Sequence, residues 1–124
     1  MLTEQARSIL SDKAIAHLAV VDTKDRPHVT AVWIDVDDAG QLVINTAEGR
    51  VKDRLLQPGK PVAISATRPG NDYEHVLVRG SVAARTTEGA DAVIDALAKK
   101  YLDQDTYPFR RPGETRVTVI ISPD

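Results

Sequence analysis

The sequence predicts a mainly β domain of the α+β class, a six-stranded antiparallel barrel with peripheral helices, spanning residues 1–124 as one unit. Three observations predict it. Six apolar runs of strand length recur between polar turns. Asp37-Asp38-Ala39-Gly40 is a tight turn between two of these runs, so local antiparallel pairing needs no crossover helix. Gly80 interrupts the longest run, where a bulge or bend would supply the curvature a small barrel needs. The main rival is an open α+β sheet, but closing the sheet removes exposed edges from strands rich in Val and Ile.

The elements follow in order. Thr3 to Asp12 reads as a short amphipathic helix with Thr3 as N-cap and Glu4 in its first turn; Leu2, Ala6, Ile9 and Leu10 form an apolar stripe that covers one end of the barrel. Ala14 to Asp22 is the first strand, and the polar turn Thr23 to Arg26 leads to Pro27 and a second strand, His28 to Val36. The third strand, Gln41 to Thr46, pairs with the second as a hairpin. Arg50 to Leu56 reads as a short helix stopped by Pro58-Gly59. Pro61 to Thr67 is the fourth strand and, after the loop Arg68 to Asp72, Tyr73 to Arg85 is the fifth. Thr86 or Thr87 caps a helix to about Tyr101 with Val93, Ile94, Leu97 and Ala98 on one face, and Glu114 to Ser122 is the last strand.

Composition narrows the function. An apolar content of 42% in 124 residues suffices for one core. A formal net charge of -2 provides no global positive field for a nucleic acid or an anionic membrane, so any anion site must be local. The chain has no cysteine, which removes disulfides, thiolate metal sites and a cysteine nucleophile. Met1-Leu2-Thr3-Glu4 lacks the pattern of a signal peptide, and no apolar run reaches the roughly 18 residues of a membrane helix; the expectation is a cytoplasmic protein.

Arg50, Lys52 and Arg54 place three cations within about one helical turn, just after a strand, a glycine and the hydroxyl of Thr46. Cations at a helix N-terminus oppose the helix dipole at about 0.3 to 1 kcal/mol each, and a phosphate would resolve the conflict. The alternative is a solvated helix face with Glu48 and Asp53 screening the charges; the residues alone leave both open. Trp33, the single tryptophan, shares a strand face with Val29, Ala31 and Asp35. It either packs the core or, with small neighbours such as Ala31, lines a flat slot for an aromatic ring. His17, His28 and His75 show no metal-ligand spacing, and no hydrolase elbow, Walker or dinucleotide glycine motif occurs. No catalytic side chain and no metal are assigned.

The segments Arg26 to Trp33, Asn45 to Arg54, Val78-Arg79-Gly80 and Tyr101 through Tyr107-Pro108-Phe109, taken in order, resemble the F(420)-dependent branch of the pyridoxamine-phosphate-oxidase-like split β-barrels. The resemblance implies a homodimer with cofactor grooves at the subunit interface. It implies a phosphate held at Arg50 and Lys52, with Arg54 nearby, and a deazaflavin ring bordered by His28, Val29, Thr30, Ala31, Val32 and Trp33. Asn45, Thr46 and Ala47 would lie near the phosphate or ribityl chain, and Tyr73 would come from the other subunit. Ile34 and Leu55 depart from the commoner pattern, an aromatic and an Asn respectively. The implied activity is hydride transfer between F(420) and a small unsaturated organic substrate. FMN in the same groove, or a carrier protein without turnover, are the alternatives.

Overall fold

The structure is a computed structural model that describes residues 1–124. In chain order the elements are α1 (Glu4–Ser11), β1 (Ala16–Val21), β2 (Pro27–Val32), β3 (Asp35–Val36), β4 (Leu42–Ala47), α2 (Val51–Leu55), β5 (Pro61–Arg68), β6 (Asn71–Thr86), α3 (Ala90–Leu102) and β7 (Arg116–Pro123). All seven strands belong to one antiparallel sheet in the order β2-β1-β5-β6-β7-β4-β3. The two outermost strands, β2 and β3, are consecutive in sequence and separated only by Trp33-Ile34. Two residues cannot span an open seven-stranded sheet, so the sheet must curl until its ends meet. The result is a split barrel.

The strand count is seven where the sequence predicts six, because the expected strand His28 to Val36 is broken at Trp33-Ile34. Its first part pairs with β1 (His17↔Ala31, Ala19↔Val29), and only Asp35 and Val36 form the hairpin with β4. Side chains of α3 satisfy the backbone at the break. The Tyr101 hydroxyl accepts the Ile34 N–H at 3.1 Å and donates to the Ala14 carbonyl at 2.7 Å. The Lys100 ammonium donates to the carbonyls of Ile34 at 2.6 Å and Leu10 at 2.9 Å. Peptide groups that would otherwise lack ladder partners are thereby paired.

Thr3 caps α1, its Oγ1 accepting the Ala6 N–H at 3.0 Å, and Ala6, Ile9 and Leu10 are buried in the barrel core with Leu18, Ile34, Ile44, Ile64, Val119 and Ile121. The third helix starts later than the sequence suggests. Thr86 Oγ1 accepts the Glu88 N–H in a preceding turn, and α3 begins at Ala90 behind Gly89, which has φ 73°. Gly80 is not itself the bulge: the register slips between Val82 and Ala84. A Cβ on Gly80 would lie 2.4 Å from the Ser122 carbonyl oxygen, so only glycine lets β6 and β7 approach there.

On β4 and β7 no residue is exposed and most are buried, because the barrel core covers one face and α3 packs on the other. The outer faces of β1, β2, β5 and β6 keep exposed or half-exposed side chains in alternation.

Candidate functional site

A cleft of about 230 Å³ opens on the outer side of β4 and β7, over the seam between β2 and β3. Alternation along β4 turns Asn45 toward the cleft, while Leu42, Ile44 and Thr46 face the core. On β7 Arg116 faces the cleft, and Val117, Val119 and Ile121 face inward. Arg50 and Lys52 enter from the turn into α2, Ala31 to Trp33 from the seam, Ile94 and Leu97 from α3, and Tyr107 and Phe109 from the segment after α3.

The aromatic side chains support one another. Trp33 stacks on Tyr101 with centroids 5.3 Å apart and an interplanar angle of 6°, and meets Tyr107 edge-on at 5.9 Å; Tyr107 in turn meets Phe109 edge-on at 5.7 Å. Asp95 of α3 fixes this wall, accepting the Tyr107 N–H at 2.9 Å and a guanidinium N–H of Arg110 at 2.8 Å. Trp33 thus both packs and lines a slot.

The polar wall is cationic. Arg116, only 3% exposed, donates from Nε to Asn45 Oδ1 at 2.8 Å and pairs with Glu114 at 2.8 Å, and its guanidinium lies 5.1 Å from the Tyr107 ring centroid. Arg50 reaches the same Glu114 oxygen at 3.2 Å. Asn45 also donates to the Ala90 carbonyl at 2.9 Å, which ties the start of α3 to the cleft floor. Burial alone would push the Glu114 carboxyl up, but the Arg111 N–H and the Arg116 and Arg50 guanidiniums outweigh it and hold the acid ionised. One carboxylate therefore serves two guanidiniums.

The Lys52 ammonium makes no hydrogen bond or ion pair within the chain, although its backbone carbonyl accepts the Leu56 N–H at 3.1 Å. Burial, then the charges of Arg50 and Arg116, pull its pKa from 10.5 to about 8. Three cations and one carboxylate converge on a partly desolvated cleft, and this is a donor set for an anion such as a phosphate. The helix dipole adds little, since α2 is five residues long. Asp53, an expected screen for these cations, turns inward instead: it accepts the Gly49 N–H at 3.0 Å and pairs with Arg85.

Of the residues singled out in the sequence, Ala31, Val32, Trp33, Asn45, Arg50 and Lys52 come together in the cleft. The others stand elsewhere in the single chain. His28 meets Asp22 at 3.1 Å; Val29 is 66% exposed; Thr30 lies farther along β2. Thr46 is buried in the core with its Oγ1 unpaired, Ala47 is buried, and Arg54 is exposed beyond the cleft. Tyr73 is 96% exposed beside the β5–β6 turn. Arg116 and Glu114 were not anticipated. A charged pair two residues apart, entering an apolar strand, was the available signal.

A family model described as pyridoxamine 5'-phosphate oxidase matches residues 3–122. No curated protein matches the chain. Among solved structures, an F(420) reductase is 28% identical, with a TM-score of 0.82 over 99% of this chain and 96% of that one. A conserved hypothetical protein from Mycobacterium tuberculosis is 20% identical, with a TM-score of 0.72 over 99% and 81%. A pyridoxamine 5'-phosphate oxidase-related, FMN-binding protein from Nostoc punctiforme is 15% identical, with a TM-score of 0.60 over 90% and 71%. The last two show the shared fold alone.

Proposed function

The chain belongs to the pyridoxamine 5'-phosphate oxidase family, and from that premise we propose that its cleft binds the phosphate-bearing deazaflavin F(420) for reduction of a small unsaturated organic substrate. The observation that carries this reading is Lys52, whose unpaired ammonium lines the cleft with two guanidiniums that share one carboxylate. Such a cluster fits a phosphate, and the 28% identical F(420) reductase supports the deazaflavin in particular. No helix is long and apolar enough to cross a membrane.

Lys52, Arg50 and the free N–H groups of Arg116 would hold the phosphate. Ala31 to Trp33 would border the ring, with Tyr107 closing the slot beside Trp33. When bound, the ring supplies two-electron hydride chemistry, so the chain needs to bind, orient and exclude water more than to donate a proton. His28 accords with this, being engaged by Asp22 outside the cleft. The protein acts as a homodimer in this reading. Exposed Val29 and Leu77 on the outer barrel face, with Tyr73 beyond them, provide apolar surface for a second copy, and Tyr73 would reach the partner's cleft. A stable monomer in sedimentation at micromolar concentration would contradict the dimer.

Parallel titrations with F(420) and FMN, read through Trp33 fluorescence, test the cofactor. Saturable quenching by F(420) at lower concentration than FMN is expected. Tighter binding of FMN would make the protein a flavin oxidoreductase, and cofactor binding without oxidation of reduced cofactor by any of a broad substrate panel would make it a carrier.

A further inference from the structure

We propose that Lys52 is a reactive amine that captures small anionic aldehydes as an imine inside the cleft. The inference rests on the anion-site reading above and extends it from a charge to a nucleophile.

The geometry separates Lys52 from the other lysines. Lys99 is bound to Asp103 at 2.9 Å, and Lys100 is spent on the carbonyls of Leu10 and Ile34. Lys13, Lys24 and Lys60 lie outside the cleft. Lys52 is the one lysine that lines the cleft, with no acceptor for its ammonium, beside Arg50 and Arg116, which stay charged at any ordinary pH. Glu114 is already shared by those two guanidiniums. The crowding is relieved by an incoming anion or by loss of the Lys52 proton, whose pKa of about 8 makes the neutral amine accessible near neutrality.

A ligand carrying both an anionic group and an aldehyde uses both routes. Its anion takes the free N–H groups of Arg50 and Arg116, and its carbonyl meets the lysine. Lys52 yields a proton to water, and the freed lone pair attacks the carbonyl carbon. A C–N bond forms, the two N–H protons of the amine pass to the carbonyl oxygen, and that oxygen departs as water, leaving the C=N bond. Nothing is oxidised or reduced. Trp33 and Tyr107 wall the slot with aromatic surface, which favours a planar aromatic aldehyde.

The test uses cofactor-free protein, 4-formylphenyl phosphate, trapping with borohydride and peptide mapping by mass spectrometry. Modification of Lys52 at least about tenfold faster than of Lys13, Lys24 or Lys60 is expected, with the preference falling about tenfold for benzaldehyde or in Arg50→Ala. Even labelling of exposed lysines, or equal labelling by the uncharged aldehyde, would overturn the proposal. A preceding arm with F(420) or FMN separates it from the cofactor reading. Selective labelling that neither cofactor blocks leaves the imine standing and removes the cofactor from this site. Cofactor quenching of Trp33 without selective labelling does the reverse.

Discussion

Replacing Lys52 with Met should stabilise the cofactor-free protein while weakening anion binding. Methionine keeps most of the side-chain volume and removes the charge. The drop in the Lys52 pKa from 10.5 to about 8, at about 1.4 kcal/mol per pH unit, corresponds to a folded-state cost on the order of 3 kcal/mol. Lys52 is partly open to water, and solvent screening cuts this to roughly 1 to 2 kcal/mol. For a chain of this size, that is a rise of about 3 to 10 °C in Tm at pH 7. The sign fixes the pH window. Because the folded-state value is depressed, the cost is fully present below about pH 8 and fades as pH climbs toward 10.5. The advantage of Lys52→Met over the parent in thermal or urea melts should therefore narrow across that interval. Cofactor binding should weaken by about 1 to 3 kcal/mol in the same variant. A Met variant less stable than the parent at pH 7, or an advantage unchanged from pH 7 to 10.5, would refute the reasoning and mean that Lys52 has a structural role.

Three other perturbations probe the scaffold and the chemistry. Thr46→Val removes a fully buried hydroxyl with no hydrogen-bond partner in nearly the same volume; a gain of about 1 kcal/mol in urea unfolding is expected, and a loss would show that the hydroxyl is engaged. Tyr101→Phe strips the hydroxyl that joins the Ile34 N–H to the Ala14 carbonyl across the barrel seam. It should cost about 1 to 3 kcal/mol and speed amide exchange at Ile34, whereas unchanged exchange would mean that the seam is held by other contacts. His28→Ala and Tyr73→Phe should each lower turnover by less than about tenfold with cofactor bound, while a loss of several hundredfold at unchanged cofactor affinity would reveal a general acid.

Much of the fold was legible because its signals are local. The Thr3 cap, the Asp37 to Gly40 turn and the apolar stripe of α1 each depend on neighbours within a few residues. The break at Trp33-Ile34 was not legible, since the groups that satisfy it, Lys100 and Tyr101, lie more than sixty residues away. The site divided in the same way. Arg50 and Lys52 stood out through their proximity in sequence. Arg116 did not, because its burial depends on Asn45, far away in sequence on a paired strand, and on how the segment between α3 and β7 folds Tyr107 back over it. Alternation also sorted the Asn45-Thr46 pair: one residue faces the cleft and the other the core, a distinction that needs the strand's orientation.

The most direct measurement of the central claim is a crystal structure of the protein with F(420) bound. The account predicts phosphate oxygens within hydrogen-bond distance of Lys52 Nζ and of the Arg50 or Arg116 guanidinium, with the deazaflavin ring against Ala31 to Trp33. A phosphate seated away from Lys52, or a ring outside this cleft, would contradict it.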